Sequence, residues 1–306
     1  MSTSLNYTVV IPTYCSTGTL KNTLDSVVKQ TFQPDKIIVV DDCSEDIACL
    51  VEIVESYHDV KIQLQTKASK GNAAESRNIG WRLSTTPLVF FLDSDDIWLP
   101  DHAKNVVKIF KNKKCEVVFG GFICDYDDGI LVNEIADIDI SKECHRNADY
   151  IFNSRCEFRT STLAVKSKLF DKVRFDDSAR KHQDWDIFLS FCYNAIPMAY
   201  NYALDTRIYS FGAHRMSYKN NLSATEWFIS KWNNELTKEN IYQILYPCLV
   251  KSISSKNKSE VIIINSLSRK HRVIRIILLS YVSLASNSIA SHLVFSLKKL
   301  KKVLRK

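Results

Sequence analysis

Short apolar runs alternate with helix-like segments along the first 120 residues. The runs typical of buried strands lie at residues 7–11, 36–40, 61–65, 87–92 and 115–119. Apolar residues recur at helical spacing between them, in segments 17–30, 47–54, 73–83 and 100–111. Parallel strands need crossover connections of this kind. We therefore predict an α/β fold with a doubly wound, mostly parallel, Rossmann-like sheet.

The pattern changes beyond residue 120. The predicted elements there are a hairpin over Phe122–Val132, a strand rich in Thr and Ser over Arg159–Val165, a helix over Trp185–Cys192, and strands at 198–202 and 206–209. Residues 226–306 look helical throughout. The chain is therefore expected to divide into residues 1–120, residues 121–225 of the same domain, and a C-terminal helical extension over 226–306.

Charge is distributed unevenly along the chain. The whole sequence carries a net charge of +7, but residues 268–306 hold ten Lys or Arg and no acid. The remainder has 31 basic and 34 acidic residues, a net charge of −3. A mildly acidic body argues against an enzyme acting on nucleic acid, so we expect no nucleic-acid partner.

Cysteines and glycines exclude two further classes. The nine cysteines show no CxxC pair, and no secretory signal precedes Tyr7, which together favour a reducing, cytoplasmic location. The Ser16-Thr17-Gly18 segment after the first strand lacks the glycines of a dinucleotide-binding loop.

The basic C-terminal region resembles a membrane-surface element. Residues 269–275 are basic, residues 276–297 are uncharged but contain several serines, and the end places Leu293, Leu297, Leu300 and Leu304 on one helical face. A helix lying on an anionic membrane surface, a spanning helix, and ordinary packing or a disordered basic end are all compatible with this pattern.

Three acids follow the apolar run Phe90-Phe91-Leu92. Asp93 and Asp95 are two residues apart and would point the same way on an ideal strand. Hard carboxylate oxygens on one side suit Mg²⁺ or Mn²⁺, completed by substrate phosphates. The alternative is a solvated acidic turn before the helix that begins near Pro100.

Two other strands also end in polar residues. One run stops at Asp41-Asp42 and the other at Pro12-Thr13-Tyr14. Ligands of open parallel sheets bind outside the carboxyl ends of the strands. These segments and the acids at 93 and 95 are therefore expected to face one crevice.

Five segments in order resemble the family 2 glycosyltransferases, inverting nucleotide-sugar enzymes of the A-type fold, over about residues 7–215. They are Val9-Val-Ile-Pro-Thr-Tyr14, Ile37-Ile-Val-Val-Asp-Asp-Cys-Ser44, Gly71-Asn-Ala-Ala-Glu-Ser-Arg-Asn78, Phe91-Leu-Asp-Ser-Asp-Asp96 and Gln183-Asp-Trp-Asp186. The resemblance implies a nucleotide-sugar half over 1–120 and an acceptor half over 121–225.

Nucleotide and metal roles follow from the resemblance. The turn formed by Pro12, Thr13 and Tyr14 would line the uracil of a UDP-sugar. Asp42 would accept from uracil N3–H, although Asp41 could take this role or cap the turn. Arg77 would approach the diphosphate or base, unless it is a surface cation. Asp93 and Ser94 would lie near the ribose, and Asp95, with Asp93, would bind Mn²⁺ or Mg²⁺ across the phosphates.

The resemblance also assigns the acceptor side. Asp184 would be the catalytic base, or a helix cap, or both. Relatives often have Glu before this Asp, whereas this chain has Gln183. Gln183 and Trp185 would meet the acceptor, although Trp185 could equally be core packing. His214 would be a third metal ligand or part of a solvated loop.

These residues together predict an inverting, non-processive transfer of one hexose from a UDP-sugar to a lipid-linked oligosaccharide of O-antigen or capsule synthesis. The enzyme would be peripheral on the cytoplasmic face of the inner membrane, held by residues 268–306. Lipopolysaccharide core or protein acceptors, and a non-catalytic sugar-nucleotide-binding relative, are the alternatives. A haloacid-type phosphatase is disfavoured by Ile97, and a processive synthase by the missing Gln-x-x-Arg-Trp motif.

Overall fold

The computed structural model describes residues 5–126, 129–133, 147–152, 158–210 and 220–285. The chain forms two compact units. The first unit comprises residues 1–147 and 155–212, and the second comprises residues 148–154 and 213–306.

Strands and helices alternate through the first half of the chain. The elements are β1 (Tyr7–Thr13), α1 (Thr17–Val28), β2 (Lys36–Asp41), α2 (Ile47–Glu55), β3 (Ile62–Thr66), α3 (Ala73–Leu83), β4 (Leu88–Phe91), β5 (Ile97–Trp98), α4 (His102–Asn112), β6 (Val117–Gly120), β7 (Phe122–Tyr126) and β8 (Gly129–Asn133). The remaining elements are α5 (Asn147–Phe152), β9 (Ala164–Lys166), α6 (Gln183–Tyr193), β10 (Met198–Asn201), β11 (Thr206–Ser210), α7 (Leu222–Lys231), α8 (Lys238–Ser254), α9 (Lys258–Lys270) and α10 (Ile274–Ala285).

A seven-stranded sheet confirms the predicted fold class. Its order is β10-β6-β9-β4-β1-β2-β3, and β9 alone of these strands runs antiparallel to its neighbours. The chain moves outward from β1 to β3 and then returns to place β4 on the other side of β1. The carboxyl ends of β1 and β4 thus flank the point where the strand order reverses, the usual ligand site of such sheets.

The central strands are apolar because helices cover both faces of the sheet. All seven residues of β1 and all four of β4 are buried, as expected for parallel strands with no solvent-facing side. The helix α3 approaches β1 so closely that a Cβ on Gly80 would lie 2.4 Å from Cγ1 of Val10. A glycine at this position is therefore a packing requirement.

A second, four-stranded sheet of order β5-β11-β7-β8 belongs to the same unit. The antiparallel pair β7 and β8 confirms the predicted hairpin, whose residues 127–128 lie outside the described range. The strand β5 directly follows the acids at 93–96 and pairs with β11. This sheet therefore joins the acidic segment to the strand before residues 211–219.

Two sequence predictions of local structure are corrected. Residues Thr160–Thr162 of the predicted strand Arg159–Val165 form a 3₁₀ turn, and the strand begins only at Ala164. The reason is competition from a side chain, because Thr162 Oγ1 donates 2.9 Å to the carbonyl of Arg159. Pro12 and Thr13, predicted as a turn, instead extend β1, with Thr13 opposite Asp41 of β2.

The second unit is helical in its described part, as predicted. The helix α8 begins with a reciprocal cap between Thr237 and Asn240, and the Asn240 amide also donates 2.8 Å to Asp149 of α5. Among the described residues, no helix is both long and apolar enough to cross a bilayer. Residues 286–306, including the predicted leucine face, lie outside the described range.

One helix of the second unit exposes three of its large apolar side chains. Ile274, Leu278 and Tyr281 of α10 are 67%, 61% and 50% exposed. Their spacing of four and three residues places them on one face. Ser280 and Ser283 of the same helix are buried instead. The inner side combines these serines with the fully buried Ile276, and the opposite face exposes the three large apolar side chains.

We expect Gly80→Ala to lower the free energy of unfolding by about 1–3 kcal/mol, because the new methyl group overlaps Val10. Gly18→Ala is the matched control, since nothing lies within 4 Å of its Cβ position in α1. That substitution should raise stability by up to about 1 kcal/mol through helix propensity. Urea unfolding measures both, and equal effects would contradict the packing argument.

Candidate active site

The acidic segment after β4 has alternating exposure. Asp93 and Asp95 are partly exposed, whereas Ser94 and Asp96 are buried. Ser94 Oγ donates 2.9 Å to Ser16 Oγ, which joins this segment to the residue before α1. The carboxyl ends of β4 and β1 are therefore linked at the expected crevice.

Asp96 holds the acidic segment in place. It accepts hydrogen bonds from Ser161 Oγ at 2.5 Å and from the backbone N–H of Tyr209 at 3.2 Å. Burial raises the pKa of Asp96 well above its ordinary value, and repulsion from Asp95 and Asp93 adds to the effect. Asp96 is thus a structural acid tied to β11, and its environment is strongly negative.

Asp93 and Asp95 fit a divalent cation. Their repulsion of Asp96 shows that the carboxylates share one region of negative potential, which a cation would relieve. Within the described ranges there is no group of three or more His, Cys, Asp or Glu that would form a protein-only metal cage. Mg²⁺ typically uses one or two carboxylates plus substrate phosphates, so two acids suffice.

The structure separates the roles of the neighbouring acids Asp41 and Asp42. Asp41 accepts from both the backbone N–H and the hydroxyl of Ser44, whose Oγ also accepts from Cys15 N at 2.8 Å. Asp41 therefore caps the turn, which was one of the two roles left open for it.

Asp42 faces the loop after β3. Its Oδ1 accepts from Lys67 Nζ at 2.7 Å and from Gly71 N at 2.8 Å. Lys67 also pairs with Glu75 of α3 at 2.6 Å. The predicted uracil partner is thus fixed at the edge of the sheet by a buried lysine.

The end of β1 offers a stacking ring and a hydroxyl. Lys70 Nζ lies 3.8 Å from the centre of the partly exposed Tyr14 ring. Thr13 Oγ1 is buried and has no hydrogen-bond partner in the part of the chain that the structure describes. Buried hydroxyls are normally satisfied, so Thr13 fits a site that a polar ligand completes.

Arg77 joins the donor-side acids to the segment at 183. Its Nη1 donates 2.7 Å to Gln183 Oε1, and its Nη2 donates 2.5 Å to Asp93 Oδ1. The guanidinium is buried and lies 5.4 Å from the ring centre of Phe175. Arg77 is therefore not a surface cation, and its contact with a diphosphate or base stays a prediction.

Asp184 lies in the first turn of α6, beside Gln183. The N-cap position is His182, and Asp184 Oδ1 accepts a hydrogen bond from Thr160 Oγ1. Burial raises the pKa of Asp184, and Asp93 also raises it, while Arg77, Arg159 and the Thr160 hydroxyl oppose the change. A carboxylate with a raised pKa is a stronger proton acceptor than a solvated aspartate.

An aromatic pair stands next to Asp184. The rings of His182 and Trp185 are stacked with centroids 4.4 Å apart and planes inclined by 12°. His182 adopts a left-handed backbone conformation with φ 63°, which costs energy for a residue other than glycine. Both side chains are partly exposed, so the predicted acceptor contact of Trp185 is sterically open and stays a prediction.

Several site residues were missed by the sequence reasoning. Lys67 and Lys70 lie in a loop that no motif marks, and Thr160 and Ser161 lie in the segment predicted as a strand. The signal available for the last two was a run of hydroxyl side chains inside a segment expected to be buried. His214 lies outside the described residues, and its metal role stays a prediction.

The stability of the fold should depend on pH through His182. Burial, aided by Lys181, lowers the pKa of His182 from 6.5 to about 3. Below pH 6.5 the His182 imidazole is therefore protonated in the unfolded chain but still neutral in the folded chain. The free energy of unfolding falls as the pH falls. From pH 7 to pH 5 the loss should be about 2 kcal/mol.

The matched variant is His182→Asn, because Asn tolerates the left-handed conformation and does not titrate here. Urea unfolding at both pH values should show the wild-type chain losing about 2 kcal/mol more than the variant. The raised pKa values of Asp96 and Asp184 act in the opposite direction but are common to both proteins. An equal loss of the free energy of unfolding in the wild-type chain and the variant would contradict the lowered pKa of His182.

Comparison with known proteins shows the family. Residues 8–172 match the family described as "Glycosyl transferase family 2". The chain is 27% identical over 252 residues to the amylovoran biosynthesis glycosyltransferase AmsB of Erwinia amylovora, covering 78% of this chain and 81% of that protein. It is 29% identical over 195 residues to the glycosyltransferase GlyG of Streptococcus pneumoniae, covering 57% of this chain and 63% of that one.

A third relative is the UDP-Glc:alpha-D-GlcNAc-diphosphoundecaprenol beta-1,3-glucosyltransferase WfgD of Escherichia coli, 22% identical over 69% of this chain and 96% of that protein. Among solved structures, Staphylococcus aureus TarS 1-349 in complex with UDP-GlcNAc superposes with a TM-score of 0.63 at 16% identity, covering 94% of this chain and 89% of that one. This likeness concerns the fold. The family match spans more than half of the sequence, so the chain belongs to glycosyl transferase family 2 and is a glycosyltransferase.

Proposed function

We propose that this glycosyltransferase moves a hexose from a UDP-sugar, with inversion and metal dependence, to a lipid-linked oligosaccharide in bacterial surface-polysaccharide synthesis. The observation that carries the proposal is the contact of Arg77 with both Asp93 and Gln183. This contact brings two features into one site. One is the pair Asp93 and Asp95, which suits a metal–diphosphate group, and the other is Gln183, the neighbour of the proposed base. Transfer is non-processive, and O-antigen or capsule is the product class.

The donor assignment is supported by the edge of β1 and β2. The carboxylate of Asp42 accepts N–H donors, which suits uracil N3–H, and the buried hydroxyl of Thr13, without a partner among the described residues, suits a ribose or base edge. Pro12 and Tyr14 complete the wall of the uracil pocket. TarS, which shares this fold, forms a complex with UDP-GlcNAc, and WfgD is named for the donor UDP-Glc.

Asp184 is proposed as the base of a direct displacement. Its carboxylate takes the proton of the acceptor hydroxyl while the hydroxyl oxygen attacks C1 of the sugar. The bond from C1 to the diphosphate oxygen breaks on the opposite face, and UDP leaves with the electron pair. One attack from the face opposite the leaving group inverts the configuration at C1.

The chain's own residues prepare this geometry. Thr160 fixes one oxygen of Asp184, and Arg77 fixes Asp93. Enzymes of this family generally depend on a divalent metal. A Mn²⁺ or Mg²⁺ ion held by Asp93 and Asp95, with His214 as a further proposed ligand, would supply electrostatic stabilisation of the departing diphosphate.

The two halves of the site should separate by substitution. Asp184→Asn should lower the transfer rate by ~100- to 10,000-fold, because it removes the general base, while UDP affinity measured with Mn²⁺ changes little. Asp95→Asn should instead weaken Mn²⁺-dependent UDP binding by about 10- to 100-fold. Isothermal titration with UDP and Mn²⁺, paired with UDP release from a panel of UDP-sugars, measures both.

Retained transfer in Asp184→Asn would remove that residue from the base role. UDP binding that is indifferent to Mn²⁺ would refute the metal assignment. A wild-type chain that binds UDP but transfers no sugar from any UDP-sugar to extracted lipids, lipopolysaccharide core or protein would favour the non-catalytic alternative.

The acceptor proposal rests on the second unit. The exposed apolar face of α10 lies beside basic residues, and residues 268–306 contain ten Lys or Arg without an acid. An apolar face flanked by positive charge suits the anionic surface of a membrane. We place the enzyme at the cytoplasmic face of the inner membrane, where lipid-linked saccharides are accessible. The relative WfgD is named for a diphosphoundecaprenol acceptor.

Membrane binding should depend on the apolar face of α10. Leu278→Glu should lower the fraction that sediments with vesicles containing phosphatidylglycerol by roughly tenfold. The reason is that burying a leucine side chain in the bilayer contributes ~1.5–3 kcal/mol to binding. Tyr193→Glu, at a side chain of the first unit that is 71% exposed, is the control and should bind as the wild type does. Equal binding of both variants would contradict the proposal that the apolar face of α10 binds the membrane.

A further inference from the structure

Two adjacent hydroxyl side chains connect the opposite halves of the site. Thr160 Oγ1 donates to Oδ1 of Asp184, and Ser161 Oγ donates 2.5 Å to Oδ2 of Asp96. Ser161 Oγ also accepts 3.2 Å from the backbone N–H of Asp93. One residue of the 3₁₀ turn therefore contacts the proposed base, and the next contacts the acidic segment.

The turn is rigid in the ways that such a role requires. Thr160, Ser161 and Thr162 are 1%, 1% and 2% exposed. The carbonyl of Ser161 accepts 2.8 Å from Trp98 Nε1, so the turn is also held by β5. Hydrogen bonds among buried groups are not exchanged for water, and a buried turn therefore keeps its partners in a fixed arrangement.

The neighbouring elements explain why the turn meets both regions. Directly after the turn, the carbonyl of Leu163 accepts 3.0 Å from the N–H of Phe91, and β9 pairs antiparallel with β4. The start of β9 is therefore beside the end of β4, where Asp93 follows. On the other side, Phe158 contacts Phe188 of α6 with ring centres 5.2 Å apart, which brings α6 to the turn.

We propose that the Thr160-Ser161 turn positions the catalytic base against the metal-binding acids, Thr160 by orienting Asp184 and Ser161 by fixing the segment that contains Asp93. This inference rests on the proposed function of those acids. Thr160 and Ser161 are positioning residues, since each acts through another side chain. Thr160 holds Oδ1 of Asp184, and Oδ2 is the oxygen assigned to the acceptor hydroxyl.

Different parameters should respond to the two substitutions. Thr160→Val keeps the shape of the side chain and removes the hydroxyl. It should lower kcat by roughly 10- to 100-fold, because one hydrogen bond to a charged group is lost. The Kd for UDP and Mn²⁺ should stay unchanged. Ser161→Ala should raise that Kd by about tenfold.

Two controls separate positioning from folding. Thr160→Ser retains the hydroxyl and should restore kcat to within a few-fold of the wild-type value. Thr8→Val makes the same change at an equally buried threonine, whose hydroxyl bonds Thr86 Oγ1 at 2.8 Å at the start of β1, the end of that strand opposite the site. It should leave both parameters unchanged. Crystal structures of the four variants supply a readout that does not depend on activity.

In the Thr160→Val structure the Asp184 carboxylate should rotate away from its wild-type position. In the Thr160→Ser structure it should remain in the wild-type position. An unmoved carboxylate with wild-type kcat would overturn the role of Thr160. An unchanged Kd for UDP and Mn²⁺ in Ser161→Ala would overturn the role of Ser161. A wild-type chain that binds no UDP would instead refute the proposed function, so the two failures are distinguishable.

Discussion

A buried guanidinium joins the two acidic regions of this enzyme. Arg77 extends from α3 to Asp93 on one side and to Gln183 on the other. Burial is the main cause of the raised pKa of Asp184, and repulsion from the carboxylate of Asp93 adds to it, while Arg77 opposes the change. Removing the arginine would leave those charges uncompensated, which is costly inside a protein. The proposed donor and acceptor sides therefore share the positive charge of Arg77.

The helix α3 that carries Arg77 also fastens the chain leading to Asp184. Asn72 caps α3 through its carbonyl oxygen, and its amide nitrogen donates 2.7 Å to the carbonyl of Asp177. Asn78 contacts both the N–H and the carbonyl of Phe175. The polar face of α3 is thus buried against residues 175–177, a few residues before the proposed base. The helix α3 therefore carries Arg77 and also holds the segment that leads to its partner Gln183.

Much of the fold could be predicted because its signals are local. The strands β1, β2 and β4 are unbroken apolar runs in the sequence since they are covered on both faces, and α3 was predicted with the observed limits. The turn at Thr160–Thr162 could not be predicted, because threonine-rich segments favour strands. Its partners beyond the turn, such as Trp98 Nε1 and Asp96, are more than 60 residues away in sequence. The partner of Arg77 at position 183 is 106 residues away in sequence, a distance at which no spacing rule applies. Gln183 was noted for lacking the charge of glutamate, but its use became clear only in the fold: the amide accepts from Arg77 and donates 2.7 Å to the carbonyl of Ala179, which a carboxylate could not do.

The pairing of Asp42 with Lys67 bears on the choice of nucleobase through the role proposed for Asp42 at the base. A carboxylate held beside a lysine ammonium and a backbone N–H is an acceptor of hydrogen bonds and not a donor. Uracil offers a proton at N3, whereas neutral cytosine offers a lone pair there and would be repelled. Discrimination between pyrimidines would then follow from the hydrogen-bonding character of one side chain, and the lysine that holds this carboxylate in place would never need to touch the base.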